Sequence, residues 1–246
     1  MEPYSGFAFV YDKFMQETPY DKWTDYILEI WKKAEHMPKL VLDLACGTGS
    51  MTVRLAEKGY EMIGIDISEQ MLAVAEEKSR GAGILYICQD MSEFELYGTV
   101  DSIVCMCDSV NYLTEETEIV NLFKLVKNYL NPGGYFIFDI NTEYRFKNVL
   151  ADNVYSAVLE DAAYIWENCY YEDEGVNEYN AAFFTKTESG LYRRYDECHV
   201  EKAYSIEKIK NYVESAGLEI AGIYDELSFD YPNEKSERIF FVVTAI

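Results

Sequence analysis

The chain has 246 residues, a length that suits one large domain or one domain with a substantial insertion, and 49% of them are hydrophobic, enough for a sizeable core. Acids outnumber bases 44 to 21, for a formal charge of −23, and no run of Lys and Arg exceeds two residues. Such a surface repels a polyphosphate backbone, which argues against a nucleic-acid partner and leaves amine or neutral small molecules as the better-matched substrates.

The opening, MEPYSGFAFVYDKF, lacks the basic and apolar regions of a signal peptide, and no apolar run approaches the roughly 18 residues of a membrane span. The six cysteines are irregularly spaced with no CxxC pair, which reads as reduced thiols and no zinc or other metal site. The expectation is a soluble cytoplasmic protein without a membrane partner. Its oligomeric state leaves no mark in the sequence.

Phe7 to Met15 is unusually aromatic and needs covering, which suggests a lid. Thr18-Pro19 reads as a helix start, and Trp23, Tyr26, Ile27, Ile30, Trp31 and Ala34 follow at helical spacing. Strand and helix signals then alternate. Residues 40–45, 62–67, 84–90 and 100–107 read as strands. Ser50 to Lys58 and a segment capped by Ser68 read as helices between them. Thr114 is the expected cap of the next helix, Asn131 to Gly134 a turn, and 135–140 a fifth strand. From 154 to 204 the helical period disappears, and β-rich stretches alternate with turn signals. Ser205 to Ala216 restores a helix, and 218–224 and 237–245 close the chain as strands.

This order predicts a doubly wound α/β fold with a mostly parallel sheet and an inserted antiparallel meander. The expected division is 1–150 for the lid and cofactor core, 151–204 for the insert, and 205–246 for the completing helix and strands.

The strongest chemical signal is Asp43-Leu44-Ala45-Cys46-Gly47-Thr48-Gly49, which ends a strand and opens a helix. Glycines there allow sharp turning and close approach of a ligand. Asp66 ends the next strand 17 residues after Gly49, where a carboxylate can accept ribose hydroxyls. Two readings compete. A dinucleotide fingerprint of an NAD-type oxidoreductase needs G-x-G-x-x-G/A, and Thr52 breaks it. Asp43 instead places negative charge beside the loop, which suits a cationic amine better than a pyrophosphate.

On these residues the chain resembles the class I S-adenosylmethionine (SAM)-dependent methyltransferases, whose glycine motif is acid-x-G-x-G-x-G. Ala45 replaces the first glycine. The resemblance is close over about 40–140 and implies a seven-stranded Rossmann-like sheet with SAM as cofactor. It assigns Asp43, Ala45, Cys46, Gly47, Thr48 and Gly49 to the cofactor loop and Asp66 to the ribose. It assigns Gln89, Asp90 and Met91 to the adenine region, with Ile67 and Met91 sandwiching the ring, and counts Met71 and Asp108 among the cofactor-binding residues. A non-enzymatic SAM-binding regulatory protein would carry the same motif.

The segment Cys107 to Tyr112 follows the fourth strand, at the carboxyl edge where α/β sheets bind ligands, so Asp108 and Tyr112 are expected near the reacting methyl. Tyr11-Asp12-x-Phe14, and the meander followed by His199, resemble small-molecule N-methyltransferases, including those acting on amino sugars. Tyr11, Asp108, Tyr112 and His199 are therefore the candidate catalytic residues. Residues 151–200 carry eleven acids, three bases and seven tyrosines, which either attract a cationic substrate or form the solvated outer faces of the meander.

Overall fold

The computed structural model describes residues 8–246. Ala8–Phe14 forms α1 and Tyr20–Lys33 forms α2. The core then alternates β1 (Leu40–Leu44), α3 (Ser50–Glu57), β2 (Glu61–Asp66), α4 (Glu69–Lys78), β3 (Leu85–Cys88), β4 (Val100–Cys105), α5 (Glu116–Tyr129) and β5 (Leu130–Asn141). The insert supplies β6 (Val154–Val158), β7 (Ala162–Tyr171), β8 (Val176–Lys186) and β9 (Tyr192–Lys202). The chain closes with α6 (Ile206–Ser215), β10 (Leu218–Asp225) and β11 (Arg238–Ala245).

Seven strands form one sheet in the order β10-β11-β5-β4-β1-β2-β3. The pairs among β5, β4, β1, β2 and β3 are parallel, and β11 is antiparallel to both its neighbours. A separate antiparallel sheet, β6-β7-β8-β9, is the expected meander.

The central strands β1, β4, β5 and β11 are buried on both faces, which explains their near-continuous apolar runs, while the edge strands β3 and β10 are partly exposed. Side chains alternate across the large sheet. Val41, Ile137, Phe240 and Val242 face the side covered by Trp23, Ile27 and Trp31 of α2 and Leu55 of α3. Leu42, Phe136, Phe138 and Phe241 face Ile119, Phe123 and Val126 of α5 and Ile209 and Val213 of α6. The apolar stripe of α2 thus covers one flank of the sheet, as its spacing predicts.

Three local expectations are corrected. Thr18 does not cap α2; Pro19 holds the cap position and the Thr18 hydroxyl points to the Met15 sulfur at 3.8 Å. At α5 the capping box belongs to Glu115 and Glu118, one residue beyond Thr114. Asn131 to Gly134 is not a free turn. The strand runs through it as a bulge, with Val100 opposite Leu130 but Ser102 opposite Tyr135. Asp101 fixes this irregularity, since its carboxylate accepts from Asn131 Nδ2 at 2.8 Å and from the Lys39 and Leu40 amides at 2.8 and 2.9 Å.

Gly64 in β2 sits under the Tyr86 ring. A Cβ there would lie 2.6 Å from Tyr86 Cδ1 and 2.9 Å from Cys46 Sγ. Gly64→Ala is expected to destabilise the protein by about 1–3 kcal/mol through overpacking. Thermal unfolding checks this, at about 2–4 °C per kcal/mol for a chain this size.

Candidate active site

The carboxyl ends of β1, β2, β4 and β5 open into one cavity of about 700 Å³, within the roughly 300–1,000 Å³ of small-molecule sites. Tyr11, Phe14 and Met15 of the lid segment and Tyr164, Trp166, Tyr179, Ala181 and Phe183 of the inserted sheet line it opposite the main sheet. Every candidate site residue lines this cavity except Gly49.

The glycine loop is built from left-handed turns. Ala45, Gly47 and Gly49 have φ of 56°, 54° and 74°. Ala45 pays for this conformation with strain of roughly 1–2 kcal/mol, which explains why glycine is usual at that place. Gly49 points away from the cavity; a Cβ on it would lie 2.7 Å from Tyr86 Oη. Its glycine therefore serves packing and backbone turning, not close ligand approach.

Asp43 is buried, and the Thr52 hydroxyl donates to its Oδ2 at 2.5 Å. Burial pushes its carboxyl up to about 7, with the Thr52 bond opposing. Asp66 accepts the Gly47 amide at 2.8 Å and the Ser68 amide at 2.9 Å. These bonds pin the carboxylate between loop and α4, while burial raises its pKa against them. Asp90 Oδ1 accepts from the Ser92 amide and hydroxyl at 2.7 and 2.8 Å. Gln89 is clamped to the Glu95 backbone, accepting its amide at 2.6 Å, so it shapes the loop. Ile67 is exposed on the cavity side and Met71 is buried beneath α1 with Ala8.

The lid is latched at two points. Thr48 of the glycine loop donates to Asp12 Oδ1 at 2.5 Å, and Lys78 of α4 pairs with Asp12 Oδ2 at 2.6 Å. On the other side Lys13 pairs with Asp161, and the Phe14 ring meets Tyr164 edge-on at 5.1 Å and Phe183 at 5.5 Å. The α1 helix thus bridges the cofactor loop and the inserted sheet. The remaining lid expectation, over residues 1–7, lies outside the described residues.

At the other end of the cavity, Tyr112 reaches both the Tyr179 hydroxyl and His199 Nδ1, the latter at 3.3 Å. The Tyr179 and His199 rings stack at 4.8 Å. Burial brings the His199 imidazole down to about 4, so it is neutral at pH 7. Asp108 is not an isolated carboxylate. Arg238 Nη2 donates to it at 2.7 Å, and Arg238 also holds Asp139. Both Cys107 and Asp108 have positive φ, at 63° and 52°, a tight corner closed by the Asp108 amide donating to Asp139 at 2.9 Å.

Sequence reading misses Arg238, Tyr179, Glu201 and the Asp12–Lys78 latch. Arg238 and Glu201 carry the only available signal, a charge adjoining an alternating apolar strand, and that signal does not name a partner. No group of three or more metal-ligating side chains occurs among the described residues, and no helix among them is long and apolar enough to cross a membrane.

Comparison with known proteins agrees with this geometry. A family profile described as a methyltransferase domain matches residues 41–134, the span of the glycine loop and the Asp66 and Asp90 turns. YqeM of Bacillus subtilis (strain 168), named as a methyltransferase, is 36% identical over 241 residues, covering 97% of this chain and 95% of its own. A SAM-dependent methyltransferase from Clostridium acetobutylicum is 35% identical with a TM-score of 0.88, covering 98% of each chain. The sugar N-methyltransferase KedS8 from Streptoalloteichus shares the fold at a TM-score of 0.79 and 19% identity, covering 96% of this chain and 92% of its own. The broken dinucleotide fingerprint, the acid-flanked glycine loop and these full-length relatives together show that the chain belongs to the SAM-dependent methyltransferases.

Proposed function

We propose that this methyltransferase transfers the methyl group of SAM to a small-molecule acceptor, and that the acceptor atom is an amine nitrogen. One observation carries the reading: the cofactor carboxylates Asp43 and Asp66 and the tyrosine–histidine end face one cavity, and α1 with the inserted sheet covers it. A covered site of this size suits a metabolite better than a nucleic acid. The shared layout with KedS8 supports the same class. Six free thiols fit the reducing conditions of a cytoplasm.

In this reading Asp43 faces the amino group of SAM, Asp66 takes the ribose hydroxyls, and Asp90 meets the adenine amine between Ile67 and Met91. Ala45, Cys46, Gly47 and Thr48 shape the loop around the amino-acid end, and Met71 supports it from α4. SAM supplies an electrophilic methyl on a sulfonium. The chain's task is to hold the acceptor in line and exclude water. Tyr11, Tyr112 and neutral His199 offer acceptors that orient an amine. Asp108, neutralised by Arg238, positions the corner and is not the base.

Asp66→Ala is expected to weaken SAM binding by about 1.5–3 kcal/mol. Asp43 adds a pH signature. Its carboxyl is protonated more in the empty site than beside an ammonium, so binding near neutrality expels a proton. Affinity therefore rises as pH climbs toward about 7 and then levels, by linkage to the raised Asp43 pKa. Asp43→Asn should flatten the rise. Calorimetry in buffers of different ionisation enthalpy reads both. A pH-independent wild-type affinity between about 5 and 7 overturns the Asp43 role.

The function itself is tested by following labelled methyl from SAM into a metabolite extract. Label in a small amine is the expected result. Label confined to nucleic acid or protein overturns the reading.

A further inference from the structure

The acceptor end of the cavity contains a buried group of hydrogen-bond acceptors that Arg238 does not complete. Glu201, on β9, is 2% exposed and lines the cavity. It forms no ion pair among the described residues. Its partners are Asn141 Nδ2, which donates to Oε2 at 3.4 Å, and the Tyr179 hydroxyl. Arg238 spends its guanidinium on Asp108, Asp139 and, at 3.8 Å, Glu226.

A second observation comes from another element. Asn141 ends β5, is 4% exposed and lines the same cavity. Its backbone amide donates to Asn111 Oδ1 at 2.9 Å, but its own Oδ1 is buried without a donor. A buried carbonyl oxygen left so is destabilising, because its hydration is lost with no donor in its place. A buried carboxyl group without an ion pair and an amide oxygen lacking a donor thus lie together, beside the corner that holds Asp108. An ammonium group, with several N–H donors and a positive charge, satisfies both at once. A hydroxyl supplies one donor and no charge.

We propose that Glu201 and Asn141 form the binding site for the protonated amine of the acceptor, with Glu201 taking the proton that must leave before methyl transfer. The substrate class is then a small molecule bearing a primary or secondary ammonium. This rests on the small-molecule reading above and specifies its acceptor.

The groups around Glu201 fit that role. Asn177 is its register partner on β8, His199 precedes it on its own strand and is neutral, and Tyr179 lies alongside. Asp108 and Arg238 approach from the corner after β4 and from β11. Burial first, then the Asp108 charge, pushes the Glu201 carboxyl well above its usual range, which makes it a strong proton acceptor for a carboxylate. The steps balance. As the ammonium docks, the proton that the buried Glu201 carboxyl holds in the empty site leaves to solvent, and one N–H proton then passes from the ammonium to the Glu201 carboxylate, freeing the nitrogen lone pair. That pair forms the N–C bond as the S–C bond breaks and its electrons return to sulfur. Glu201 keeps that proton and is back in its resting form. An ammonium and a sulfonium enter; a methylated ammonium, a thioether and one proton leave.

The test uses the full chain with SAM and a panel of small hydroxylated primary amines, each paired with the alcohol of the same skeleton, such as glucosamine with glucose and serinol with glycerol. Methyl transfer to at least one amine and to no matching alcohol is expected. Glu201→Gln should then lower kcat/KM for that amine by about 10- to 100-fold while SAM affinity stays within about twofold, which also reports that the variant folds. Asn141→Ala should act mainly on KM, with Glu201→Asp recovering part of the loss in kcat. Transfer to an amine with Glu201→Gln equal to wild type overturns the Glu201 assignment and leaves the small-molecule reading standing. Transfer to alcohols alone, or to no amine in the panel, overturns the ammonium site; label found only in macromolecules overturns both.

Discussion

Replacing Arg238 with methionine is expected to lower the unfolding free energy by about 3–5 kcal/mol, read by denaturant titration. Arg238 begins β11 and is 6% exposed. Its fork binds Asp139 and Asp108, its Nε lies 3.8 Å from Glu226, and the guanidinium sits over the Trp23 ring at 5.2 Å. Trp23 in turn donates to Glu226 at 3.2 Å. Without the cation, fully buried Asp139 and partly buried Asp108 are left as uncompensated carboxyls, and that is the costly half of a broken buried pair. Arg238→Lys should recover only part of the loss, because a single ammonium cannot reproduce the fork. Adding Asp139→Asn to Arg238→Met should restore stability relative to the single variant, since it removes the orphaned charge. A loss below about 1 kcal/mol in Arg238→Met would show that the cluster is not holding β11, β5 and the Asp108 corner together.

Deleting residues 1–15 is expected to lower methyl transfer by at least about 100-fold while the melting temperature changes little. The stability expectation follows from packing. The two clusters that sandwich the main sheet draw on α2, α3, α5 and α6, and among the described residues of this stretch only Met15 packs against them, partly buried. Ala8 of α1 belongs to a small separate cluster with Met71, Ala181 and Phe183. The activity expectation follows from what α1 ties together: Thr48 and Lys78 on the cofactor side, Asp161, Tyr164 and Phe183 on the inserted sheet. Without it the cavity opens to water on the side that Tyr11, Phe14 and Met15 line, and Tyr11 is gone. Hydrogen exchange should show residues 8–15 gaining protection when SAM is added. Unchanged protection, together with full activity of the truncated chain, would remove both the lid and Tyr11 from the site.

What the sequence determined by itself is local and periodic. Alternating strand and helix periods place the sheet, because a strand buried on both faces reads as a short apolar run and a covering helix shows its stripe, as in Trp23, Ile27 and Trp31. The glycine loop and Asp66 are legible because a tight turn between strand and helix restricts residue type at fixed short spacing. Even there the reasons shifted: Gly49 answers to Tyr86, and Gln89 to the Glu95 backbone. Tertiary structure alone decided the polar pairings. Arg238 meets Asp108 across 130 positions, Asn141 meets Glu201 across 60, and Asp12 meets Thr48 across 36. No period or motif encodes such partners, because a charge at the edge of a strand looks the same whether water or a buried carboxylate awaits it. The closing of the sheet order, which brings β11 beside β5 and lays the inserted sheet over the carboxyl edge of the main one, is what turns those separate residues into one site.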